Sequence, residues 1–158
     1  MLGKDIYVIP ERCTGCRICE MACAHQSFKE YNPALSRIHI VSLHKEGVSI
    51  PIVCKRCEPA PCIEACPTEP EKALYKTGKF GIVAVKRDVC IACKACVIAC
   101  PFGAVRWHDE VNLPLICHLC GGKPNCVEVC PTKALEFVPT LSFGKARREE
   151  YASKVKAF

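Results

Sequence analysis

Sixteen cysteines fall into four groups of four along 158 residues: Cys13, Cys16, Cys19 and Cys23; Cys54, Cys57, Cys62 and Cys66; Cys90, Cys93, Cys96 and Cys100; Cys117, Cys120, Cys126 and Cys130. In each group three clustered thiols are followed, after three intervening residues, by a fourth. In the last three groups that fourth cysteine precedes a proline: Pro67, Pro101 and Pro131. Thiolates in this pattern are iron–sulfur ligands. A cube of four irons and four sulfides needs a thiolate at every iron corner; three cysteines on a curling loop cap three corners, and the fourth must arrive from elsewhere. Where two such groups pair, the cysteine before proline crosses to the partner cube, so each group serves two clusters. Proline there ends the short helix carrying the cysteine, because its ring blocks further helical hydrogen bonding.

Two other uses of cysteine account for less. A closed zinc site takes two Cys-x-x-Cys pairs and leaves no role for the extra thiol of each group. Disulfides suit an exported chain, but Met1 to Pro10 has no basic segment followed by an apolar core and cleavage site, and no twin arginine. A cytoplasmic location with reduced thiols is therefore expected.

The formal charge of +6 points to nucleic acid or an anionic membrane only while each cysteine is counted as neutral. Ligation deprotonates thiols, and sixteen thiolates around four oxidised cores of about +2 each bring the net charge to about −2. No nucleic-acid partner is expected. No run of roughly twenty apolar residues exists to span a membrane. Gly-rich phosphate loops and nucleophile motifs are missing from the sequence too. Closing four cubes uses all sixteen candidate ligands, so no iron corner is left open for substrate and a non-catalytic role follows. Aromatic residues make up only 7% of the chain, too little for an ordinary core. The clusters must act as core and staple, and the iron-free chain is expected to be largely unfolded.

The elements that must position these thiols are short. Asp5 to Ile9 reads as a strand leading into the first cysteine loop. Cys19 to Phe28 reads as a helix, with Glu20, Met21, Ala22 and Ala24 as good formers; Ala24 stands where the other groups have proline, so this helix can run on. Arg37 to Leu43 and Val48 to Val53 form two strands around a turn at Lys45, Glu46 and Gly47. A second strand pair surrounds Thr77-Gly78-Lys79, with Gly81 to Lys86 as its second arm, and short strands follow at Ala104 to Trp107 and Ala134 to Val138. The unit of cysteine loop, one-turn helix, Cys-Pro and strand repeats, which marks duplicated two-cluster units. The expected fold class is α+β, with small antiparallel ribbons and short helices around the clusters.

On Cys13-Thr14-Gly15-Cys16-Arg17-Ile18-Cys19-Glu20, Asn32-Pro33 with Ser36-Arg37-Ile38, Cys54-Lys55-Arg56-Cys57-Glu58 with Pro61-Cys62, and Cys117-His118-Leu119-Cys120, the chain resembles the four-cluster iron–sulfur subunits of the dimethyl sulfoxide reductase beta-subunit type. The resemblance covers residues 5 to about 138. Among short relatives it is similar to the small electron-transfer subunit of tungsten-dependent aldehyde oxidoreductases; comparable subunits accompany carbon monoxide dehydrogenases, hydrogenases and formate dehydrogenases. The resemblance implies four 4Fe-4S clusters. One is held by Cys13, Cys16, Cys19 and Cys130, and its partner by Cys117, Cys120, Cys126 and Cys23. A third is held by Cys54, Cys57, Cys62 and Cys100, and the last by Cys90, Cys93, Cys96 and Cys66.

It further implies two interlocked dicluster ferredoxin-like units, an outer one of residues 1–53 plus 111–140 and an inner one of 54–110. The implied partner is a catalytic oxidoreductase subunit with a tungsten or molybdenum cofactor, with a flavin subunit as a candidate outlet. A free polyferredoxin serving several enzymes is the alternative. In the third group Ala92 stands where glycine is usual, and Thr68 to Lys72 is longer than the family's usual segment, a candidate partner contact.

Outside the ligand set, His118 lies inside the last cysteine loop and is either a tuning group or a half-exposed loop residue. His25 invites the same two readings, and Trp107 is expected to pack over a cluster edge. Residues 141–158 form a cysteine-free tail, read as a helix with Tyr151, Val155 and Phe158 on one face. It would pack on its own domain, dock a catalytic subunit or mediate self-association.

Overall fold

The computed structural model describes residues 3–140 and, beyond them, residues 142, 144, 145, 148, 149 and 152. In chain order the elements are β1 (Lys4–Val8), α1 (Ile18–Phe28), β2 (His39–Leu43), β3 (Val48–Ile52), α2 (Pro61–Glu64), β4 (Leu74–Thr77), β5 (Ile82–Val85), α3 (Ala95–Ile98), β6 (Arg106–His108), β7 (Leu113–Leu115), α4 (Asn125–Glu128) and β8 (Leu135–Pro139). The strands pair as two-stranded antiparallel ribbons, three of them local hairpins, β2–β3, β4–β5 and β6–β7. The fourth ribbon joins the ends of the fold, with Lys4 opposite Pro139 and Val8 opposite Leu135. This is an α+β fold of short antiparallel ribbons and short helices, as the sequence reading expects. The tail face of Tyr151, Val155 and Phe158 lies outside the described residues.

Helix α1 runs for 11 residues, whereas α2, α3 and α4 have four each. The difference follows from the residue after the fourth cysteine of each group: Ala24 lets the helix continue, whereas Pro67, Pro101 and Pro131 stop it. Helix α1 packs against α4 and α2 against α3, so the first and last groups face each other, as do the second and third. Eight of the 25 buried hydrophobic residues described are cysteines; Ile6, Ile38, Leu115, Leu119 and Leu135 fill the space between them.

Two strands start later than the alternation suggests, each because an N–H turns to sulfur. Arg37 donates its N–H to the Cys23 sulfur at 3.3 Å, and the Ser36 hydroxyl donates to the Ile38 carbonyl at 2.6 Å, so β2 begins at His39. Ala104 donates to the Cys100 sulfur at 3.3 Å, and β6 begins at Arg106. The sequence reading missed β7 altogether, because its centre is Pro114, which pairs with Trp107. A two-stranded ribbon tolerates proline because one edge of each strand needs no partner. A close approach fixes the β4–β5 hairpin over the last cysteine loop: a Cβ on Gly122, at φ +100°, would fall 2.7 Å from the Phe80 ring. Phe80 also meets the Phe137 ring edge-on at 5.9 Å between centroids.

His39 joins ribbons that are distant in sequence. Its Nδ1 lies 2.9 Å from Arg106 Nη1, which donates to it, and its Nε2 is buried without a hydrogen-bond partner. Burial, with the Arg106 charge adding to it, pushes the imidazole down to about 4. The unfolded chain binds a proton near pH 6.5 and the folded one does not, so stability is full above that value and is lost as pH falls toward 4. The expected cost is about 2 kcal/mol by pH 5. Anaerobic denaturant titrations of the loaded protein between pH 5 and 7.5 test this; His39→Gln should flatten the pH dependence, and an equally steep variant would contradict it.

Candidate metal centres

Each cysteine loop is built on the same backbone device. The residue before the second cysteine of every group is left-handed: Gly15 (φ 71°), Arg56 (φ 48°), Ala92 (φ 58°) and Leu119 (φ 55°). Left-handed residues beside right-handed ones turn successive N–H groups to one side and form a concavity for an anion, a device shared by many iron–sulfur sites. At the three non-glycine positions that conformation costs about 1–2 kcal/mol each, a strain of the kind concentrated at functional sites. Ala92 thus does what glycine was expected to do. Gly15 has a further reason to lack a side chain, since a Cβ there would meet Ser49 Oγ on β3 at 2.6 Å.

The loops bring cysteines from different groups around shared voids. Cys13, Cys16, Cys19 and Cys130 line one, together with Ile40, Pro51 and Leu135. Cys23, Cys117, Cys120 and Cys126 line a second, with Arg37 and His118 in its wall. Cys66, Cys90, Cys93 and Cys96 line a third, with Trp107 and Leu74. Of the remaining four, Cys54 interacts electrostatically with Cys57 and Cys100, and Cys62 with Cys54 and Cys100. Electrostatic interactions link the sets pairwise: Cys19 of the first with Cys126 of the second, Cys117 of the second with Cys54, and Cys62 with Cys96. Cys16 of the first set and Cys93 of the third void are exposed, whereas Cys54, Cys62, Cys117 and Cys126 are buried.

The donor set fits a cationic metal–sulfide core. All sixteen cysteines carry free thiols. Burial, then the neighbouring Glu20 and thiols, pushes Cys19 up to about 12; burial and the neighbouring Cys90 and Cys93 push Cys96 up to about 11. Burial likewise raises Cys117 to about 12, and raises Cys126, Cys54, Cys62 and Cys120. Such thiols ionise only beside a strong positive charge, which a metal core supplies. Cys66 and Cys130, each before a proline, shift the other way. Burial opposes their ionisation, but hydrogen bonds from Thr68, Leu74 and Ala73, and from Leu135, Ala134 and Thr132, outweigh it. Among the described residues no three His, Cys, Asp or Glu side chains meet closely enough to hold a single metal ion.

The longer segment Thr68 to Lys72 is tied at both ends. Thr68 accepts the Ala73 N–H at 2.8 Å, and Lys72 Nζ donates to the Cys66 carbonyl at 2.6 Å. Trp107 lies beside the third void under the Lys94 ammonium, 5.1 Å from the ring centroid. His25 stacks on Tyr31 with centroids 4.5 Å apart and lines none of the three voids. His118 accepts the Cys120 N–H at 2.9 Å and faces Arg37 Nη1 at 3.1 Å, so it is a bonded wall residue, not a loose loop histidine. Sequence reasoning gave no role to Arg37, Arg56 or Glu20. Glu20 is 4% exposed and accepts the Ile40 N–H at 2.7 Å, and the buried Arg56 guanidinium is ion-paired with Asp5.

Residues 46–140 match the family model described as a 4Fe-4S dicluster domain, and residues 10–27 match a 4Fe-4S binding domain. The polyferredoxin-like subunit of an aliphatic sulfonate oxidoreductase from Pyrococcus furiosus is 41% identical over 125 residues, covering 79% of this chain and 70% of that one. An uncharacterized ferredoxin of Methanocaldococcus jannaschii is 35% identical over 95% of this chain and 81% of its own. One subunit of the anaerobic dimethyl sulfoxide reductase of Escherichia coli is 34% identical, over 84% of this chain and 72% of its own length. Among solved structures, a chain of the BamBC active-site complex of benzoyl coenzyme A reductase shares the fold, with a TM-score of 0.51 at 23% identity over 94% of this chain and 90% of that one.

Proposed function

We propose, for a chain that belongs to the 4Fe-4S dicluster family and is a non-catalytic, ferredoxin-like electron-transfer subunit of an oxidoreductase, that its sixteen cysteines hold four cubes in one file running from Cys16 to Cys93. The observation that carries this is the lining of three voids, each by four cysteines drawn from two groups, with the remaining four cysteines clustered beside them. Each 4Fe-4S cluster, when bound, takes up and releases one electron. The chain's residues fix the rest: Cys13, Cys16, Cys19 and Cys130 hold the first, Cys23, Cys117, Cys120 and Cys126 the second, Cys54, Cys57, Cys62 and Cys100 the third, and Cys66, Cys90, Cys93 and Cys96 the fourth.

Residues 1–53 plus 111–140 then form an outer unit and 54–110 an inner one. Support comes from the packing of α1 on α4 and the β1–β8 ribbon on one side, and of α2 on α3 on the other. Exposure of Cys16 and Cys93 opens the file at both ends. One end meets a catalytic subunit with a tungsten or molybdenum cofactor, as in an aldehyde oxidoreductase, and the other a carrier or flavin subunit. Relatives named as parts of a sulfonate oxidoreductase and a dimethyl sulfoxide reductase favour such an assembly. Anaerobic purification of the native complex with metal analysis tests both parts. About sixteen irons per chain are expected, with stoichiometric tungsten or molybdenum on a co-purifying chain. Iron without a second metal would identify a free carrier, and about four zincs would remove the reading.

A further inference from the structure

Arg37 enters the wall of the void lined by Cys23, Cys117, Cys120 and Cys126. Its backbone N–H donates to the Cys23 sulfur at 3.3 Å. Its guanidinium donates to the Ser27 hydroxyl, faces His118 Nε2 at 3.1 Å, and lies 5.2 Å from the Phe28 ring centroid. None of these contacts is an anion. The side chain is half-buried, and its charge is felt by Cys23, Cys117 and Cys120. Arginine stays protonated in proteins, so this is a permanent positive charge against one set of sulfurs.

Most other cations near the sets have a carboxylate partner, and the Arg56 charge acts on Cys117 of this second set as well as on Cys54 of the third. Arg17 lies 3.9 Å from Glu20, Arg56 is paired with Asp5, and Lys94 lies 3.3 Å from Asp109. Lys55 is exposed and screened by water and salt. At the first set the buried Glu20 carboxylate beside Cys19 offsets the exposed Arg17, so no net cation faces those sulfurs. Glu128, the carboxylate that acts on Cys120, is exposed and weakened by solvent.

Resting on the four-cluster function above, we propose that Arg37 makes the site of Cys23, Cys117, Cys120 and Cys126 the one with the highest reduction potential of the four. Reduction adds one negative charge to a site and breaks no bond, and a fixed cation in a poorly solvated wall stabilises that added charge. Ser27 and Phe28 are positioning residues that hold the guanidinium in place. An internal site of highest potential collects the first electron, away from both exposed ends.

Anaerobic redox titration of the full-length loaded chain, followed by electron paramagnetic resonance, tests this. Arg37→Gln should lower the highest midpoint and leave the other three in place, and Arg37→Lys should restore most of the shift. Cys23→Ser should alter or abolish the signal that develops first, whether or not that cluster survives, so the assignment holds even if Arg37→Gln loads poorly. An unchanged first signal in Cys23→Ser, or a shift confined to another midpoint in Arg37→Gln, overturns the inference. A wild-type chain that binds no iron would instead remove the function on which it rests.

Discussion

Replacing Cys66 by serine is expected to remove or alter the cluster proposed for the third cysteine group and to spare that of the second, although Cys66 belongs to the second group in sequence. Cys66 lines the void shared by Cys90, Cys93 and Cys96, whereas Cys100 is the near neighbour of Cys54 and Cys62. The Cys66 sulfur lies 3.3 Å from Thr68 Oγ1, and the hydrogen bonds that favour its thiolate come from Thr68, Ala73 and Leu74. Iron analysis should fall from about sixteen to about twelve atoms per chain if that site is lost, with the other three signals unchanged. If the site of Cys54, Cys57 and Cys62 changes instead, the crossed pairing is wrong.

Chelating the iron under reducing conditions is expected to abolish the fold. Eight of the 25 buried hydrophobic residues described are cysteines, and helix α1 has only 11 residues. Isolated helices and two-stranded ribbons of these lengths are marginal in water. Without a metal core the chain must bury thiols that surround voids, which forfeits the contacts a packed interior provides. Near-complete loss of the cooperative thermal transition and rapid proteolysis are expected, followed anaerobically by circular dichroism and limited digestion. A compact, protease-resistant apoprotein would contradict this.

The cysteine groups were legible because ligand chemistry fixes residue type and spacing, and α1 could be told from the one-turn helices by Ala24 in place of a proline. The hairpin of β6 and β7 was not legible, because its second arm holds Pro114 and its turn places Asn112 at φ 54°. Contacts made across long sequence separations also escaped: His39 meets Arg106 across 67 positions and Arg37 meets His118 across 81. Local periodicity carries no trace of such pairs. The two late-starting strands show the same limit, since a sulfur competing for one N–H leaves the apolar alternation intact.

The union of Cys130 with Cys13, Cys16 and Cys19 around one void also sets a schedule for biosynthesis. A ribosome adds about 5–20 residues per second, so about 6 to 23 seconds separate the first thiol of that site from its last. The proposed sites that use Cys96 and Cys100 would have all their ligands earlier. The loop translated first is therefore the last, along with its Cys126-containing neighbour, to become closable. Its three thiols wait in the nascent chain for almost the whole of synthesis, which makes them the ones most in need of protection from oxidation during translation.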